Sequence, residues 1–212
     1  MIRHKAKLAA VAGVAVLGVA WVSASSAVAG QSAAHRVDVT KFQMVRSQGA
    51  MMAGCLPHAH ANVSVQHGGP VEVMNVFVKG LPAHREFDLF VIQVPDAPFG
   101  LSWYQGDIDT DRNGAGHGRF VGRFSIETFI VAPGSAPAPK VHPTDGTSNP
   151  AIPGPVHTYH LGLWFNSPRA AARAGCAPPN TVTPFNGRHH AGVQVLSTRQ
   201  APVKFGPLRR IH

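Results

Sequence analysis

A rhythm of two constrains this chain more than any other feature. From residue 36 onward, apolar residues recur at alternate positions in short runs, and each run is cut off by glycine or proline. "RVDVTKFQMV" carries Val37, Val39 and, less strictly, Phe42 and Val45. "ANVSVQ" sets Val63 and Val65 on one face before Gly68-Gly69-Pro70 stops it, and "VEVMNVFVKGLP" is nearly all strand formers up to Gly80 and Pro82. "EFDLFVIQV" places Phe87, Leu89 and Val91 on one face against Asp88, Phe90 and Ile92 on the other. "GRFVGRFSIETFIV", "HTYHLGLWF" and "AGVQVLST" complete the set. Seven or eight strands separated by turns predict an all-β fold, a single antiparallel β-sandwich of Ig-like or jelly-roll-like form. One short helix is expected near 167–175, with Ser167 capping, Pro168 in the first turn and Gly175 at the end.

The first residues have a different character. Arg3, Lys5 and Lys7 precede an apolar run from Leu8 to Val22 and a small-residue tail ending Ala27-Val28-Ala29. This pattern is that of a secretory signal peptide, residues 1–29. The apolar run of about fifteen residues falls short of the roughly 18–20 that a spanning helix needs, though a retained anchor is the alternative reading. Residues 30–212 are then expected outside the cytoplasm as one β-sandwich domain with no further membrane span. A segment at 132–155, with seven prolines and no strand period, reads as a flap or functional loop within it, or as a domain boundary.

Both cysteines, Cys55 and Cys176, lie in the exported part, where a disulfide is the default pairing. Removing the signal segment's three basic side chains leaves sixteen Lys/Arg against ten Asp/Glu, a charge of +6 with histidine neutral. No Lys/Arg cluster interleaved with aromatics suits nucleic acid. The modest positive charge suits an anionic cell-envelope polymer, or solubility alone.

"GDIDTDRNGAGHGRF" offers Asp109, Asp111 and Asn113 at alternate positions and then Gly114, as an EF-hand loop begins. The position that should carry a bidentate glutamate is Phe120, and the flanks read as strands rather than helices. A β-hairpin turning at "DRNG" is the competing expectation. In a strand, Asp107, Asp109 and Asp111 would share one face and repel unless solvated, paired with Arg112, Arg119 or Arg123, or bridged by a cation such as calcium.

Twelve of the thirteen histidines follow the signal segment. "CLPHAHAN" sets Cys55, His58 and His60 together, a candidate copper or zinc cluster provided the cysteine is not oxidised. "HTYH" and His189-His190 could supply further ligands. Scattered surface histidines are the alternative, and no cofactor is required by the sequence.

Catalytic motifs are missing: there is no G-x-S-x-G, no H-E-x-x-H and no G-x-x-x-x-G-K. Glu72, Glu86 and Glu127 could pair as acid and base, but nothing in their spacing selects two of them. "PFGLSWYQG" brings Phe99, Trp103 and Tyr104 together, either as a carbohydrate- or protein-binding platform at a rim or as a plug for the core.

"VKGLPAHREFDLFVIQ" followed by "GDIDTDRNGAGHGRF" resembles bacterial extracellular β-sandwich modules, in which a GLP turn precedes a strand and a TD.NG.G turn joins the next two. "YHLGLWFNSPRAAARAGC" and "TVTPFNGRHHAGVQVLST" resemble exported actinobacterial proteins of unassigned role. The resemblance implies a β-sandwich and export, and assigns no catalytic residue. The expectation is therefore an exported, non-catalytic binding or structural module of the cell envelope. A metal-binding protein and a hydrolase with an unrecognised site are the alternatives.

Overall fold

A computed structural model describes residues 37–132, 141–146, 151, 154–183 and 191–212. Residues 1–29, expected to be a signal peptide, most of the Pro-rich stretch and His189-His190 lie outside them. The described residues belong to the unit His35–His212. Its elements are β1 (Asp38–Arg46), α1 (Gln48–Met52), β2 (His60–His67), β3 (Glu72–Lys79), β4 (Glu86–Ile92), β5 (Ser102–Asp109) and β6 (Gly116–Gly122). There follow β7 (Phe129–Ile130), β8 (Val156–His157), β9 (His160–Phe165), α2 (Pro168–Arg173), β10 (Gln194–Ser197) and two 3-10 turns at Val203–Phe205 and Pro207–Arg210. Among the described residues, no helix is long and apolar enough to cross a membrane.

The all-β class read from the alternation is what forms. The strands do not, however, divide into two separate sheets. Eight of them make one antiparallel sheet in the order β5-β4-β9-β10-β1-β2-β3-β6, with β7 and β8 paired apart. The link is the nine-residue β1, which pairs with β2 from Asp38 to Met44 and then with β10 through Val45 and Arg46. The two outermost strands, β5 and β6, are consecutive in the chain and bridged at Thr110 and Gly116, so the sheet curls back until it is nearly a barrel.

The alternation explains what this curl encloses. Val63 lies opposite Val76 and Val65 opposite Met74, and Met74 in turn faces Phe120. Across the sheet, Phe87, Leu89 and Val91 of β4 pair with Phe165, Leu163 and Leu161 of β9. All of these side chains are buried in one core. Strand β9 is buried on both faces, because on its outer side Trp164 packs with Phe90 and Ile92 under Phe99. Its near-continuous apolar sequence is what burial on two faces demands.

Two short helices form where one was expected. Helix α2 follows the predicted signals: Ser167 Oγ accepts from the Ala170 N–H at 3.2 Å, and Pro168 takes the first position. Helix α1 was missed, since five residues with a glycine carry no periodicity. It nevertheless repeats α2's punctuation. Ser47 caps it, and both helices end in Ala-Gly-Cys, with Gly54 and Gly175 at φ +66° and +70°. In each case the cysteine N–H returns to a carbonyl five residues back, Cys55 to Ala50 and Cys176 to Ala171. The two cysteines are joined as expected, with a Cα–Cα distance of 5.2 Å. The bridge closes a loop of 121 residues, which the chain-entropy model values at about 4–5 kcal/mol.

A candidate binding cleft around Trp103

Strands β4 and β5 run antiparallel with Asp88 opposite Asp107 and Glu86 opposite Asp109. The register slips between Leu89 and Phe90, where Gly106 faces Leu89 and Tyr104 faces Phe90, leaving Gln105 as the extra residue of a bulge. Gly106, at φ +147°, makes the bulge, and any side chain there would meet the ring of Phe120. The slip matters for chemistry because it brings Tyr104 and Asp107, three apart in sequence, onto one face. The Tyr104 hydroxyl then donates to Asp107 Oδ1 at 2.6 Å.

On that face Glu86, Asp88 and Asp107 present carboxylate oxygens all within 4.8 Å of one another. Asp88 is only 5% exposed, whereas Glu86 and Asp107 face solvent. Burial, together with the negative charges of Asp107 and Glu86 and a hydrogen bond to Asp107, pushes the Asp88 carboxyl up to about 7. Glu86 is raised as well, by desolvation and then by Asp107 and Asp109, while the amide of Asn166 donates to it and opposes the rise. Desolvation and the hydrogen bond to Asp107 hold the Tyr104 phenol protonated. Among the described residues no ion pair reaches this cluster. Arg123, a partner considered from the sequence, is engaged by Glu72 and Glu127 instead.

The cluster floors a cleft of about 540 Å³ that also takes in Ser102, Trp103 and Asn166. Trp103 borders a second cleft of about 570 Å³ on its other side, with Gln105, Glu127, Phe129 and Thr158. Trp103 is 63% exposed and Tyr104 48%, so neither plugs the core. Phe99 does pack inward, edge-on to Trp164 with centroids 5.1 Å apart. Among the described residues two buried hydroxyls of the lining have no partner, Ser102 Oγ in the first cleft and Thr158 Oγ1 in the second.

The other residues singled out in the sequence fall as follows. Asp107 and Asp109 lie in β5, but Asp111 does not continue their face. Its carboxylate turns back to accept the N–H groups of Asn113 at 2.8 Å and Ala115 at 3.0 Å. Those two backbone bonds, that of Ala115 first, hold its carboxyl below the usual range. The stretch is therefore the tip of the β5–β6 hairpin, with Gly114 at φ +69° against the Leu81 carbonyl. Asp107 is gathered with Glu86 and Asp88 rather than with Asp111 and Asn113. His58 is exposed, and its carbonyl faces His60 Nδ1 at 2.9 Å. Cys55, being in the disulfide, offers no thiolate to either histidine. Asp88 and Asn166 were missed. The available signal was an aspartate in the middle of "EFDLFVI", a strand otherwise apolar on both faces.

Comparison with known proteins gives no similar chain: no family model, no curated protein and no solved structure matches it.

Proposed function

We propose that this chain is an exported, non-catalytic binding module of the cell envelope, and that its ligand is a carbohydrate seated across Trp103. The sheet is then best read as a flattened sandwich, β10-β9-β4-β5 packed on β6-β3-β2-β1, which presents the cleft on one outer face. The signal-like segment and the disulfide support export.

The observation that carries the reading is the Trp103 ring, 63% exposed between two clefts. An exposed aromatic face stacks on a sugar ring. The carboxylates of Glu86 and Asp107 and the amide of Asn166 in the first cleft supply acceptors and donors of the kind that sugar hydroxyls require. The acidic floor repels an anionic polymer at this site and favours a neutral or amine-bearing sugar.

Binding of the purified protein to insoluble cell-wall glycan and to a panel of neutral, amino and acidic oligosaccharides tests this. Trp103→Ala should lower affinity for the neutral or amino sugars at least tenfold without moving the thermal midpoint. Equal retention of the variant and the wild type would reject the reading.

One observation favours hydrolysis instead: Asp88, pushed up to about 7, still holds its proton for about half of the time at neutral pH, as a general acid must, beside two further carboxyl groups. Against it, Asp88 and Asp107 bring carboxyl oxygens within 4.8 Å of each other, closer than the roughly 5–5.5 Å that leaves room for a sugar between two catalytic carboxyls. Glycan turnover abolished by Asp107→Asn would establish the hydrolase.

A further inference from the structure

Asp145 gathers two histidines, His142 and His157, the second of them next to Thr158, which lines the second Trp103 cleft. The Asp145 side chain is 1% exposed, and its two oxygens are divided between the histidines. Oδ2 faces the His142 N–H at 3.1 Å and His142 Nδ1 at 3.3 Å, and Oδ1 faces the His157 N–H at 3.1 Å and His157 Nδ1 at 2.9 Å. The ligand atoms of the three side chains lie within 4.8 Å of one another.

His142 poses a problem of proton count. Its Nε2 sits 3.1 Å from the Lys204 carbonyl while its Nδ1 faces the carboxylate. Both partners accept only, and a neutral imidazole has one proton. With that proton on Nε2 for the carbonyl, the Nδ1 lone pair points at a buried anion. Either a second proton or a metal ion on Nδ1 removes the conflict.

We propose that the three side chains form a zinc-class metal site, with His142 Nδ1, His157 Nδ1 and the Asp145 carboxylate as ligands. Two imidazoles and a carboxylate are a borderline donor set suited to zinc. Tetrahedral zinc bonds of about 2.0–2.2 Å place neighbouring ligand atoms roughly 3.3–3.6 Å apart; His142 Nδ1 and His157 Nδ1 lie 3.3 and 2.9 Å from their own Asp145 oxygens, and one ligand atom from each residue falls within 4.8 Å of the others. A ligating histidine characteristically donates its other ring N–H to a carbonyl or carboxylate, as His142 does to Lys204. The Asp145 oxygens are oriented by the backbone N–H groups of His142 and His157. Tyr159 lies against both imidazoles at 4.8 and 5.3 Å, and its hydroxyl is given to the Ile126 carbonyl, so it walls the site without ligating. Three protein ligands leave a position for water. On binding, each ligating imidazole is neutral with its proton on Nε2; the ion occupies the Nδ1 lone pair, a proton formerly on Nδ1 of a neutral ring is exchanged through solvent for one on Nε2, and only a ring protonated on both nitrogens releases a proton to solvent.

The test is a titration of the purified chain, stripped by chelator, with zinc chloride, read by calorimetry, by bound metal after desalting and by thermal midpoint. One zinc per chain and a raised midpoint are expected, and cobalt(II) in its place should give visible ligand-field bands. His157→Phe keeps a ring against Tyr159 and should weaken binding at least a hundredfold. The His58→Ala/His60→Ala and His189→Ala/His190→Ala variants should bind as the wild type does. No stoichiometric zinc on the folded wild-type chain overturns the proposal. So does zinc that survives in a His157→Phe variant whose circular dichroism is native.

Discussion

Asp88→Asn is the sharpest test of the electrostatics in the cleft. A carboxyl raised in the folded chain binds its proton more tightly folded than unfolded, so its contribution to stability is fullest below about 4 and is lost as pH rises towards about 7. A rise from 3.8 to about 7 corresponds to ~4 kcal/mol, at about 1.36 kcal/mol per pH unit. The neighbouring Asp107 and Glu86 face water, which screens their share of the repulsion, so about half of this, ~2 kcal/mol, is expected. Asparagine removes the charge, keeps the shape and can still donate to Asp107. The variant should therefore match the wild type near pH 4 and exceed it near pH 8 by about 4–8 °C in thermal midpoint, at roughly 2–4 °C per kcal/mol for a chain of this size. Melting both proteins side by side from pH 4 to 9 cancels every other titrating group. A difference that stays flat across pH 5–8, or a variant less stable at pH 8, would refute the argument.

Three further outcomes are expected. Cys55→Ser should cost about 2–5 kcal/mol in urea unfolding, and reductant should bring the wild type down to the same curve. Gly114→Ala should cost ~3 kcal/mol or more, because a Cβ there would strike the Leu81 carbonyl in a left-handed backbone. Gly175→Ala, at nearly the same φ but with open space around it, should cost only about 1–2 kcal/mol; equal losses at the two positions would show that the hairpin contact contributes nothing.

Strands whose alternation is driven by burial were legible from the sequence: the face shared by Val63 and Val65 in β2 and that shared by Phe87, Leu89 and Val91 in β4 both enter the core. β5 was not, because its residues are mostly exposed and a bulge at Gln105 breaks the period of two. The same bulge hid the site. Spacing in "GDIDTDRNG" suggests that the aspartates act on one another, whereas Asp107 acts on Asp88, which strand pairing places opposite it. The histidines show the same limit. His142 and His157 meet because both reach one carboxylate, and no local pattern encodes that meeting. Sequence spacing shows ligands drawn from one turn or strand, and is silent about those that tertiary contacts assemble.

The paired Ala-Gly-Cys helix ends have a consequence for damage to the chain. Cys55 and Cys176 bracket β2 through β9 and the whole Pro-rich stretch. A protease cutting once anywhere in that span produces two polypeptides that remain a single covalent molecule. Each half stays paired with the other, since β1, before the bracket, pairs with β10, after it. A nicked chain would therefore migrate as intact on a denaturing gel until reductant is added, and its survival would be decided by redox conditions rather than by the integrity of its backbone.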